Sequence, residues 1–476
     1  MRPNRIHPPA GTLRSALVMT GAAFVLAACS MVPEFETPAV EMPARWDGPV
    51  TVPATQAAAL DSGASTVTAA WWSRFGSPEL DRLMAEALAA NQDLAAALQR
   101  IEQARAAARI AGAGLLPTVD ASGTVSRDGR GAGGSWDAET GDQAQLVASY
   151  EIDLWGRNRA AVESAAAGLA SSSYDRDALA LVVQAELASG YATALALKDR
   201  LAIARSNLDL ARELLSLVEA QYREGRSSAL ELAQQRLTVA TQEAAIPELE
   251  RQLRAAETAI AVLAGRPPQG FRVESASLSA LSLPAIAAGR PADLLARRPD
   301  IRRAESDLRA ANADIGAARA AFYPTVDLSI SAALSGLLTG GATTTAAALA
   351  GGVAAPIFSG GALEGQLEQA QARHGELVAG YRQTVLTALQ ETEDALVAVD
   401  ATARRSERLA DAAAQARDAY RLSQLRYVAG AVDFLSVIDA QRSQLSAEDG
   451  LIQAELARYS AAVDLYAALG GGWTGG

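Results

Sequence analysis

Cysteine is almost missing: of 476 residues only Cys29 carries a thiol, so no disulfide can form within the chain. Histidine is nearly as scarce, with His7 close to the N-terminus and His374 alone in a helical stretch. Without a cysteine pair or a histidine cluster, the sequence has no candidate set of zinc ligands. Glycine runs at 131–134 and 470–472 lack the strand and helix flanks that make a phosphate-cradling loop. Neither catalysis nor a cofactor or metal is therefore expected. Positive charge is also short, the formal net charge being -12, so there is no basic stripe to neutralise phosphates and nucleic acid is excluded as a partner. Aromatics make up only 5%, while half the residues are hydrophobic, much of that alanine.

What is present is a very long heptad pattern. Val183, Leu187, Gly190, Ala194, Leu197, Leu201, Ala204, Leu208, Ala211, Leu215, Val218 and Tyr222 form an unbroken seam without a charge. Lys198, Asp199, Arg200, Arg205, Asp209, Arg212 and Glu213 lie between them and face away. A helix over 160–222 would run about 95 Å, too long for the core of a compact globule. Some 205 residues later Ala388, Thr392, Ala395, Val399, Thr402, Ser406, Leu409, Ala413, Ala416, Tyr420, Ser423 and Tyr427 repeat the seam with smaller side chains. Small seam residues let helices approach closely, which suits a wall of many helices.

Arg2, Arg5 and Arg14, followed by the uncharged run 15–26, read as a secretory signal too short to span a membrane. Leu26-Ala27-Ala28-Cys29 resembles a bacterial lipobox, which implies cleavage before Cys29, lipidation of that cysteine and, with Ser30 following, sorting to the outer membrane. From Met31 to about Ser77 the chain is an extended lead, docked by Trp71, Trp72 and Phe75. Ser77-Pro78-Glu79 is a helix start, and that helix runs to about Ala113 with a break near Asn91.

Past Pro117 the period becomes two. Val119, Ala121, Gly123 and Val125 alternate with polar residues, a glycine-rich loop is expected over 128–142, and Ala144, Leu146, Ala148, Tyr150, Ile152 and Leu154 resume the alternation. The second half copies the first: Leu116-Pro117-Thr118-Val119-Asp120 matches Tyr323-Pro324-Thr325-Val326-Asp327, and Tyr222 with Gly225 matches Tyr427 with Gly430. Val326, Leu328, Ile330, Ala332 and Leu334 alternate in one strand, and a further strand is expected from about Thr345 to Phe358. Residues 328–363 carry no charge, but their glycines and Pro356 oppose a membrane helix. Four strands of about ten residues suit a bilayer crossing. Four strands cannot close a barrel, and open edges are not tolerated in lipid, so several chains must share one barrel.

The sequence resembles the outer membrane factor family of TolC/OprM-like efflux channels, in its lipid-anchored branch. Trp71-Trp72 with Phe75, Leu283-Pro284, Asp293-Leu294-Leu295 with Arg298-Pro299-Asp300-Ile301, Ala304-Glu305, Tyr323-Pro324, and Asp439-Ala440-Gln441 carry the resemblance. It implies an α+β membrane protein, a homotrimer with two internal structural repeats per chain. Three chains would share a 12-stranded transmembrane β-barrel, four strands each, and a long coiled-coil α-helical barrel. On that frame 1–28 is the lipoprotein signal, 29–78 the lipidated extended segment, 79–116 the first repeat's helix, 117–155 its β-hairpin and 156–266 its helical hairpin. Residues 267–292 form an equatorial linker, 293–322, 323–358 and 359–470 repeat the helix, β-hairpin and helical hairpin, and 471–476 are a tail. The resemblance further implies a passive exit duct for small molecules, partnered by a periplasmic adaptor and an inner-membrane RND-type transporter, anchored in outer membrane lipid. A type I protein-secretion duct, or a lipid-anchored periplasmic scaffold without a pore, is the alternative.

Within the family the tip of the second helical hairpin closes the tunnel, which makes Leu435 and Asp439, one helical turn apart, the expected gate. Taken alone, Asp439 could equally complement a helix dipole. Gly225 and Gly430 are expected to end the long helices at positive φ, and the tips with Tyr222 and Tyr427 to receive the adaptor. On periodicity alone Tyr222 reads as seam filler. Trp155, Phe322, Tyr323 and Phe358 sit at strand ends, as an inner aromatic girdle or as helix-junction packing.

Overall fold

The computed structural model describes residues 31–48, 67–132, 135–339, 342–473 and 475. Cys29, and with it the expected lipid site, lies outside the described residues. The chain runs α1 (Pro78–Ala90), α2 (Gln92–Ala113), β1 (Thr118–Ala132), β2 (Ser135–Glu151), α3 (Arg157–Arg223), α4 (Ala229–Leu263), α5 (Pro299–Ala320), β3 (Thr325–Ser335), β4 (Thr344–Ala354), α6 (Ala362–Val428) and α7 (Phe434–Ala468). The duplication is metrical as well as sequential. Both long helices have 67 residues, both returning helices 35, and α2 and α5 both 22. The described residues form two compact units, one within 31–38, 100–173 and 303–381, the other within 39–48, 67–99, 174–302 and 382–475.

The first unit holds an antiparallel sheet in the order β1-β2-β3-β4. Its register sorts the side chains by polarity: Ala121 pairs with Leu146, Leu146 with Ala332 and Ala332 with Ala347, while Ser149 pairs with Thr118 and Ser329 on the other face. The expected glycine-rich loop over 128–142 is not a loop. The ladder continues through Arg127–Thr140 to Ala132–Ser135, because cross-strand backbone bonds form whatever the side chains. The last strand, in contrast, stops at Ala354 and not Phe358, since Pro356 has no N–H to give the ladder. The uncharged stretch is thus two strands, as its glycines and proline require.

Asp142, placed in that loop by its neighbours, is a buried anchor. Its carboxylate accepts the Leu338 and Thr339 N–H groups at 3.1 and 3.2 Å and the Thr339 hydroxyl at 2.9 Å, fixing the segment after β3 to β2. At the start of α3 the Asp153 carboxylate accepts the N–H groups of Asn158 and Arg159, at 3.0 and 2.9 Å. The lead segment lies against α5. Asn312 donates to the Pro33 carbonyl at 2.8 Å, Arg309 covers the Phe35 ring at 4.8 Å, and Gly316 is a glycine inside a helix because a Cβ there would meet Val32 at 2.4 Å.

In the second unit the seam is real along its length: every seam residue of both long helices up to Val218 and Tyr427 is buried or half-buried. Trp71 stacks on Tyr466 at 5.0 Å, with Phe75 edge-on to both rings, so the aromatic docking of the lead is a core. Ser77 caps α1 by accepting the Leu80 N–H, and Asn91 breaks the helix by capping α2 through Leu94 N–H while donating to the Leu263 carbonyl. The lead closes on this unit where the Asp47 and Gly48 N–H groups meet the Glu393 carboxylate at 2.8 and 2.9 Å.

Glu79 holds the 267–292 segment. Its carboxylate accepts the N–H groups of Glu274 and Ser275 at 2.6 and 2.9 Å and the Tyr191 hydroxyl at 2.9 Å. Burial, the largest single influence, pushes its pKa up, but the hydrogen bonds from Glu274, Ser275 and Tyr191 together outweigh it and hold the carboxyl below its ordinary value. A depressed folded pKa means stability that is present above the ordinary carboxylate range and is lost as pH falls through the folded value. The melting temperature should therefore drop below about pH 4, and Glu79→Gln should flatten that acid limb; an unaltered limb in the variant would show that Glu79 plays no part.

Candidate functional site at the helical turns

Both long helices end as their glycines predict. Gly225 stands at φ 72 and Gly430 at φ 71, and their N–H groups bond back to the Tyr222 and Tyr427 carbonyls at 3.0 and 2.9 Å. The return helices are capped differently in the two copies. Ser228 and Glu231 form a reciprocal capping box, whereas the Asp433 carboxylate accepts both the N–H and the hydroxyl of Ser436 at 3.0 and 2.6 Å. The Ser436 hydroxyl, then its N–H, hold the Asp433 carboxyl below its ordinary pKa.

The two turns pack on each other through Leu214, Val218, Leu232, Tyr420, Phe434, Val437 and Ile438. Burial pushes the Tyr420 phenol up to about 12, so it enters this cluster neutral. Tyr427 lies against Phe434 at 5.3 Å and donates its hydroxyl to Gln221 at 2.9 Å, joining α6 to α3. Tyr222, its sequence twin, does otherwise. It is 45% exposed, so it is not seam filler; the seam ends at Val218, where Tyr420 and Phe434 of the second hairpin complete the packing.

Leu435 and Asp439 lie on the opposite face of α7 from this cluster. Phe434, Val437 and Ile438 turn inward and are almost fully buried, so Leu435, 51% exposed, and the exposed Asp439 carboxylate point away from the chain's own packing, one turn apart. Both can face a second copy. Leu425 and Val428 beside the turn are exposed as well. Sequence reasoning missed Gln221 and the buried Asn207 and Glu448 with the exposed Arg417 that pairs with Glu448; only Tyr420 had a signal, its place on the seam.

The strand-end aromatics split. Trp155 donates its ring N–H to the Pro324 carbonyl at 2.8 Å and stacks on Tyr323 at 4.7 Å, closing the strand–helix junction. Phe322 is at the edge of exposure, and Phe358, beyond the end of β4, is 92% exposed. On the sheet one entire apolar face is bare, with Val119, Leu146, Ile330 and Leu349 all exposed. Water does not favour such a face.

A sheet that bares one apolar face, combined with coiled-coil hairpins whose turns project an apolar and an acidic residue, defines a membrane channel of the β-barrel-and-helical-tunnel class. The chain belongs to the outer membrane efflux protein family, whose model matches residues 83–266 and 291–471. It is 40% identical over 473 residues to the pyoverdine export outer membrane protein OpmQ of Pseudomonas aeruginosa, covering 96% of this chain and 97% of that one. The toluene efflux pump outer membrane protein TtgC of Pseudomonas putida is 33% identical over 473 residues, covering 97% and 96%. Among solved structures, the open state of the MtrE outer membrane channel of Neisseria gonorrhoeae superposes with a TM-score of 0.79 at 31% identity, covering 93% of this chain and 98% of that one. The resemblance read from the Arg-Pro-Asp-Ile run and the aromatic lead is thus a family membership, and the chain is an outer membrane efflux channel.

Proposed function

We propose that three copies of this chain close one barrel in the outer membrane and form the exit duct of a tripartite efflux system. A periplasmic adaptor docks on the helical turns and an inner-membrane RND-type transporter supplies the cargo. The observation that carries this reading is the sheet: four strands with both edges unpaired and one apolar face exposed, β3 and β4 being 11 residues each, the span of a bilayer crossing. One chain leaves edges open in lipid, and twelve strands close them. Lipid on Cys29 tethers each copy to the same membrane, and Trp155, Tyr323 and Phe322 stand at its inner face. Relatives are named for pyoverdine and for toluene. The duct accordingly passes small molecules that its pump selects. Purified protein should have the mass of a trimer and conduct in a planar bilayer; a monomer that never conducts would return the chain to the scaffold reading.

A further inference from the structure

The sheet is ragged at one end. β1 and β2 pair as far as Ala132 and Ser135, but β3 leaves β2 at the Ser335–Gln143 pair, and at Gly336, φ 86, the chain turns aside. Asp142 sets where it goes. That residue pairs with Val125 and alternates with Ala144 and Leu146, so its side chain stands on the apolar face of the sheet, where a bare carboxylate is costly. The Gly336 N–H reaches the Asp142 carbonyl at 3.3 Å, and the carboxylate takes the Leu338 and Thr339 N–H groups and the Thr339 hydroxyl. Three donors satisfy the charge, and the segment buries it. The polar atoms of the segment turn inward to Asp142. Leu337 and Leu338 are left outward, 55% and 77% exposed.

This end of the sheet faces out of the cell. β1 follows α2 and β2 leads into α3, so the strands join their helices at the other end. On β3 the apolar row Val326, Leu328, Ile330, Ala332 and Leu334 is next due at Gly336, which has no side chain. At about 3.4 Å per residue and a tilt near 40°, that row rises roughly 20 Å, short of the apolar band of about 25 Å on a membrane barrel. Leu337 and Leu338 supply apolar side chains at the level where the row falls short. In the proposed trimer, copies join at the edge strands β1 and β4, whereas this segment lies on the inner strand β2, so the junction between copies leaves it uncovered.

We propose that Leu337 and Leu338 are an outer-leaflet anchor, clipped to the lipid-facing side of the barrel by Asp142 and seated among the acyl chains of the outer leaflet. The proposal rests on the reading of the sheet as part of a membrane barrel. Acyl chains are the occupant because the pair continues a lipid-facing row and offers a headgroup no charge. The anchor fixes the height of the barrel at its outer end. Leu338→Cys, spin-labelled in purified protein returned to phospholipid vesicles, reports collisions with oxygen, which concentrates in lipid, and with a water-soluble nickel chelate. The unsubstituted chain, whose one cysteine is Cys29, is the blank. A second label, on Ile330→Cys midway along the row, tests the barrel itself. Both labels should meet oxygen several-fold more than the chelate, and Asp142→Ala should reverse that ratio at 338 while leaving 330 unchanged. A label at 338 that favours the chelate while 330 favours oxygen would put the segment in water and overturn the anchor alone. Access by neither reagent at 338 would mean that protein, such as a neighbouring copy, covers the leucines, and would overturn it too. Chelate contact at 330 as well would remove the barrel reading and the anchor with it. If Asp142→Ala left the ratio at 338 unmoved, the clip would be overturned.

Discussion

Replacing Leu435 and Asp439 together by alanine should raise single-channel conductance several-fold and abolish preference for cations. Both side chains leave the packed face of α7, where Phe434, Val437 and Ile438 are buried, so truncating them costs little stability. In the proposed trimer they would form an apolar ring and a carboxylate ring one turn apart. Such an apolar ring would resist wetting, and such carboxylates would draw cations into a narrow, poorly screened passage. The single changes separate these effects. Asp439→Asn keeps the bore but loses the charge, so selectivity should fall far more than conductance changes. Leu435→Ala should do the reverse. Conductance and selectivity that stay at wild-type values in the double variant would place the constriction elsewhere.

Arg298→Ala should be the most damaging single change in the helical unit, at about 3 kcal/mol, the scale on which a buried charge partner is lost. Its guanidinium is buried and forks onto Asp300 at 3.0 and 2.7 Å, while Nη1 donates to Glu391 at 2.7 Å and to the Ala468 carbonyl at 3.1 Å. One side chain thus ties the start of α5 to α6 and to the end of α7. Burial alone would lower its pKa, but the bonds and charges of Asp300 and Glu391 outweigh that and raise it, so it is charged at any working pH. Arg298→Lys keeps the charge without the planar fork and should recover less than half of the loss. Heating trimers and following their dissociation should show a midpoint lower by roughly 5–10 °C in the alanine variant. A midpoint equal to that of wild type would mean that the Arg-Pro-Asp run serves something other than this junction.

These two sites differ in how they could be found. Leu435 and Asp439 are visible only as residues one turn apart after a helix-ending glycine, and a family resemblance was needed to single them out. Arg298 belongs to the most specific run in the chain, yet its partners Glu391 and Ala468 lie 93 and 170 residues away. Nothing local in the sequence names them.

Periodicity by itself determined the long helices, the strand alternation, the duplication and the need for more than one chain, because heptad and dyad patterns and bilayer length are local properties of a polymer. Helix ends were equally legible at Gly225 and Gly430, where a backbone conformation requires glycine. Only the tertiary structure decided the rest. The ladder through 128–142 depends on backbone partners that glycine and charge do not advertise, and Asp142 became an anchor because the segment after β3 crosses its carboxylate. Tyr222 and Tyr427 precede the same glycine at the same distance, but one is exposed and the other joins two hairpins. A sequence repeat specifies like backbones; what each side chain does depends on the surface that folding sets against it.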